Sequence, residues 1–111
     1  MLYIGIDLGT SAVKLLLMDG EGTIQNIVSR DYPLEFPQPG WSQQNPEDWK
    51  KAVLEGVPEL LRGFDASRVA GIGAGGQMHG LVVLDKDDNV IRPAILWNDG
   101  RTAKQVDYLN N

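Results

Sequence analysis

Two apolar runs, Leu2 to Ile6 and Ala12 to Met18, are separated only by Asp7-Leu-Gly-Thr-Ser. A connection this short cannot carry a chain from one end of a sheet back to the other, so the two strands must be antiparallel neighbours. The spans read as Leu2–Asp7 and Ala12–Asp19. A second turn cluster, Asp19-Gly-Glu-Gly-Thr, leads into a third strand, Thr23–Arg30, with Ile24, Ile27 and Val28 as its apolar positions.

Residues 33–45 carry Pro33, Pro37, Pro39 and Gly40 and read as a loop containing Trp41. Asn45-Pro46-Glu47-Asp48 then has the chemistry of a helix start. Asn45 is the N-cap, Pro46 sits at the first helical position, and the acids complement the helix dipole. Trp49, Ala52, Val53, Val57, Leu60 and Leu61 recur at helical spacing and define one buried face. Pro58 removes one hydrogen bond from this helix and predicts a kink, and Gly63 marks its end. Val69 to Gly76 is a fourth strand, so rich in glycine that close approach of backbone or ligand is the expected reason. A hairpin of Leu81–Leu84 with Val90–Leu96 around Asp85-Lys-Asp-Asp-Asn follows. A short last helix from Arg101 places Ala103, Val106 and Leu109 on its inner side. A strand that returns after a helix pairs in parallel with the first, which predicts a mixed sheet in an α/β fold.

The chain has 111 residues, a net charge of −5 and no cluster of basic residues, so nucleic acid and anionic membrane surfaces are not expected partners. It has no cysteine, which removes disulfides and thiolate metal sites. No basic stretch followed by an apolar core marks a signal peptide, and no apolar run is long enough to span a bilayer. The expected compartment is the cytoplasm.

Chemistry concentrates in three places. The turn after the first strand sets Asp7 beside the hydroxyls of Thr10 and Ser11 and a backbone loosened by Gly9. Hydroxyls and backbone N–H groups donate to phosphate oxygens, while a carboxylate there faces a divalent cation. Without a cation, Asp7 would repel a polyphosphate, so the turn is a nucleotide site only with a metal. The same residues also make an ordinary tight hairpin turn with a solvated Asp7. Gln77-Met-His-Gly80 contains the only histidine, His79. Its imidazole can donate to and accept from sugar hydroxyls, or be solvated or bonded to a carbonyl; Met78 suits a ligand pocket or a core. Leu96-Trp-Asn-Asp-Gly-Arg101 offers Trp97 as a flat wall for a sugar, with Asn98 and Asp99 as polar partners, and it also reads as a turn that caps the next helix. Trp41 and Trp49 read as structural.

Four stretches, Ile6-Asp-Leu-Gly-Thr-Ser-Ala-Val-Lys14, Pro39-Gly-Trp-Ser-Gln-Gln-Asn-Pro-Glu-Asp-Trp49, Gly76-Gln-Met-His-Gly80 and Leu96-Trp-Asn-Asp-Gly-Arg101, together resemble the N-terminal region of the FGGY carbohydrate kinases, and most closely the xylulokinase group. The resemblance implies a ribonuclease-H-like sheet of the actin-like ATPase type. It also implies that residues 1–111 form the N-terminal part of the first of two kinase domains, the second lying outside this chain. It implies ATP and magnesium as cofactors, transfer of the γ-phosphoryl group to the terminal hydroxyl of D-xylulose, and room for a homodimer. Asp7 would position the metal, and Thr10, Ser11 and Lys14 would lie near the phosphates. Met78, His79, Trp97 and Asp99 would face the sugar. The aspartate that deprotonates the sugar hydroxyl in the family aligns with nothing here, so residues 1–111 alone are expected to be inactive. Another pentulose, gluconate, or a non-catalytic binding module are the alternatives.

Overall fold

The apolar runs at the N-terminus form β1 (Leu2–Leu8) and β2 (Ala12–Asp19), and the segment after the second turn forms β3 (Ile24–Asp31). A computed structural model describes all residues, 1–111. β1 and β2 pair antiparallel with Ile4 opposite Leu17, Ile6 opposite Leu15 and Asp7 opposite Lys14. β3 continues the antiparallel ladder on β2, and β5 (Val69–Gly76) adds to the other side of β1 in parallel. The sheet order is β3-β2-β1-β5, the mixed arrangement expected from two tight turns followed by a helical crossover. The chain divides into two compact units, Met1–Tyr32 with Asp48–Gln77, and Pro33–Glu47 with Met78–Asn111.

In the first unit, alternation along the strands turns Leu2, Ile4, Val13, Leu15, Leu17 and Val28 to one face. There they pack with Ala52 and Leu60 of helix α1 (Pro46–Leu60). Leu15, Leu17 and Leu60 have no exposed surface. Each such side chain contributes about 1.5–3 kcal/mol on leaving water. Gly56 lets the helix approach closely, since a Cβ there would lie 2.3 Å from Leu15 Cδ1. The helix begins as its sequence predicts, with Asn45 Oδ1 accepting from the Glu47 amide at 3.0 Å. Pro58 stays inside the helix; the bond after it, Leu61 N to Val57 O at 3.1 Å, is intact. At the C-terminal end, Asn26 Nδ2 of β3 donates to the Leu60 carbonyl, satisfying one of the groups a helix end leaves unpaired. Gly63 then turns the chain at φ 85°.

The opposite face of the sheet carries a shallow apolar depression of about 530 Å³, lined by Tyr3, Gly5, Leu16, Met18, Gly71 and Gly73 among others. Ile24 and Ile27 of β3 are more than half exposed.

The second unit is built on a short ribbon, β4 (Gln43–Gln44) against β6 (Ala94–Ile95), extended by bridges from Glu35 to Gln43 and from Leu81 to Ile95. Ser42, Gln44, Ala94 and Leu96 are buried. Three expectations are corrected here. Part of the proline-rich segment is a strand. The hairpin of 81–84 with 90–96 is reduced to single bridges, Leu84 to Val90 and Leu81 to Ile95, with Pro93, which has no N–H to donate, lying between them. Helix α2 (Ala103–Asn110) buries none of its residues, and Val106 and Leu109 are 50% and 79% exposed rather than inward. No helix is long and apolar enough to cross a membrane.

Candidate active site

At the C-terminal end of β1 the first unit gathers Asp7, Thr10, Ser11 and Lys14. Asp7 lies on the face of the sheet away from the core, directly across from Lys14 of β2 and beside Gly75 of β5. Both side chains are exposed, and no ion pair joins them. The turn between the strands is held from three sides. Gly9 N donates to Ala12 O at 2.9 Å within it. From the end of β3, Tyr32 donates its amide to Ser11 O at 3.1 Å and its hydroxyl to Gly9 O. From the end of β5, Gln77 N donates to Leu8 O at 3.0 Å, and Thr10 Oγ1 donates to Gln77 Oε1 at 3.4 Å. Among the strand glycines, Gly76 shows the close approach its sequence implied: a Cβ there would sit 2.9 Å from the Leu8 carbonyl oxygen. Gly73 and Gly75 face open space.

No group of three or more acidic, histidine or cysteine side chains could hold a metal by itself. One exposed carboxylate beside two hydroxyls suits magnesium, which takes most of its ligands from phosphates and water and only one or two from protein carboxylates.

In the second unit, Met78, His79 and Trp97 are all exposed, Met78 by 70% and Trp97 by 58%. His79 adopts φ 62°, a left-handed conformation uncommon outside glycine. The Leu81–Ile95 bridge runs antiparallel, so the chain leads from it through Gly80 to His79 on one side and through Leu96 to Trp97 on the other. The histidine and the indole thus come to one end of the ribbon.

Asp99 is the exception among the expected sugar-facing residues. Its side chain has no exposed surface. Its Oδ2 accepts from Arg101 Nη2 at 2.7 Å and Ser42 N at 2.6 Å, while Oδ1 accepts from Arg101 N at 2.8 Å. Arg101 also donates to Gln43 Oε1 at 3.1 Å, and its guanidinium stacks 3.9 Å above the Trp41 ring. These bonds, led by the one from the Arg101 side chain, hold the Asp99 carboxyl down to about 2 against the opposing effect of burial. Asp99 therefore orders the loop that presents Trp97 and offers no surface to a ligand. Sequence reading missed Tyr32, Gln77 and Arg101 as organisers. Arg101, two residues after Asp99, was the one with a local signal.

The strand order and the carboxylate-tipped turn define a domain of the actin-like ATPase type, and comparison with known proteins places it further. The model of the FGGY family of carbohydrate kinases, N-terminal domain, matches residues 2–111, and the chain belongs to that family. It is 50% identical to xylulose kinase of Bacillus subtilis over 104 residues, which cover 92% of this chain and 21% of that protein. Xylulose kinase from Rhodospirillum rubrum superposes with a TM-score of 0.94 at 31% identity, over 99% of this chain and 23% of the other. Gluconate kinase from Lactobacillus acidophilus superposes with a TM-score of 0.92 at 33% identity, over 99% and 22%. The chain thus spans about a fifth of the length of the relatives it matches.

Proposed function

We propose that residues 1–111 are the N-terminal part of the first domain of an ATP-dependent kinase that phosphorylates the terminal hydroxyl of D-xylulose, giving D-xylulose 5-phosphate. The observation that carries this reading is the exposed Asp7 at the mouth of a firmly held Thr10-Ser11 turn, in a chain up to 50% identical to xylulose kinases. Magnesium ATP, when bound, supplies the phosphoryl group and the charge neutralisation that lets a nucleophile approach it. Asp7 orients the ion through its carboxylate. Ser11 donates its hydroxyl and Thr10 its backbone N–H to phosphate oxygens, and Lys14, on the same face as Asp7, adds positive charge. Met78, His79 and Trp97 contact the sugar, His79 by hydrogen bonds and Trp97 by its ring face. Most of the rate gain then comes from positioning and electrostatics. A second reading, gluconate as the acceptor, draws on the superposition with gluconate kinase at a TM-score of 0.92. The test offers the full-length protein containing this sequence a panel of pentuloses, hexuloses, gluconate and glycerol with ATP and magnesium. The highest kcat/KM is expected for D-xylulose. A preference for gluconate selects the second reading, and no sugar-dependent ADP release overturns both.

A further inference from the structure

We propose that Tyr32 is a positioning residue for the phosphate-binding turn, holding the peptide between Gly9 and Thr10 in the orientation a nucleotide requires. The proposal rests on the kinase reading of that turn. Tyr32 follows β3 and is 6% exposed. Its hydroxyl and its amide grip the carbonyls of Gly9 and Ser11, on either side of Thr10. A trans peptide is planar, with its C=O and N–H pointing in opposite directions. Turning the Gly9 carbonyl toward Tyr32 therefore turns the Thr10 N–H away from it, and this plane cannot rotate without breaking a partly buried hydrogen bond. Gln77 and Gly76 fix the other flank through Leu8 O, so Tyr32 completes a clamp that joins the ends of β3 and β5 to one short turn. Burial, and then the negative charge of Asp7, push the Tyr32 hydroxyl up to about 12, so it remains a hydrogen-bond donor at any working pH.

A fold that needed only an apolar filler would be served equally by phenylalanine. Tyr32→Phe in the full-length protein separates the two roles, because it keeps the ring and removes the bond to Gly9. The expected result is a Kd and KM for MgATP raised about five-fold, the loss of one ordinary hydrogen bond, with the sugar KM within two-fold of wild type. Hydrogen exchange at the Gly9 amide should accelerate while that of the Ile4 and Leu15 amides stays unchanged. Unchanged MgATP binding, or equal losses for ATP and sugar with faster exchange throughout the sheet, overturns the proposal. A wild-type protein that binds no MgATP overturns the kinase reading instead.

Discussion

His79 shows how a single residue can be read twice. Its type and its place after a glycine-rich strand suggested contact with hydroxyl groups, but nothing in the sequence announced a φ of 62°. A non-glycine residue held in this region costs of order 1–3 kcal/mol and persists where the surroundings demand it, often at a ligand site. On the proposed kinase reading, His79→Ala in the full-length protein is expected to raise the sugar KM by about ten-fold, a loss near 1.4 kcal/mol, with the ATP KM nearly unchanged. Equal effects on both substrates would make His79 a structural residue. Asp99 went the other way: the sequence offered it as a sugar contact or as part of a turn capping the next helix, yet its side chain is buried against Arg101 and the Ser42 amide, while α2 starts at Thr102 with no side-chain cap. Its carboxyl is lowered from 3.8 to about 2 by its partners, so the charged form is favoured by folding. The stability it contributes is fully present above about pH 4 and is lost as the pH falls through about 2. Acid titration followed by near-ultraviolet circular dichroism should show this loss in wild type. In Asp99→Asn the same signal should be weaker at neutral pH and flatter between pH 4 and 2.

At the scale of elements, legibility followed sequence distance. β1, β2, β3 and β5 were recoverable because each is a run of apolar or glycine-spaced residues bounded by turn chemistry. Helix α1 was recoverable from its cap and its period. β4 was not, and β6 was legible only as part of the longer strand 90–96, because their mutual pairing joins positions some fifty apart in the chain, which no local pattern encodes. The inner face assigned to α2 failed for a related reason: period alone cannot say whether anything lies opposite. The helix–sheet contact makes its own prediction. Gly56→Ala gains about 1 kcal/mol of helix propensity but drives a methyl into the fully buried Leu15, where overpacking costs typically 1–3 kcal/mol. A net loss of about 1 kcal/mol is expected in urea denaturation, and Gly56→Ala combined with Leu15→Val should recover part of it.

Across the whole molecule, short turns fixed the antiparallel polarity of β1, β2 and β3 and the helical crossover implied the parallel β5, whereas the grouping of Asp7, Thr10 and Ser11 needed only that they flank one turn. The organisers behind them, Tyr32 and Gln77, come from the ends of distant strands and became visible only with the fold. Residues 1–111 expressed alone are expected to release no sugar-dependent ADP, since the chain spans about a fifth of its relatives; a coupled assay with pure polypeptide checks this. The sheet face that bears Tyr3, Leu16 and Met18 has a practical consequence. Polypeptide produced in isolation should brighten a hydrophobic dye and scatter light increasingly with concentration, so its biochemistry is best pursued dilute or fused to a solubilising carrier.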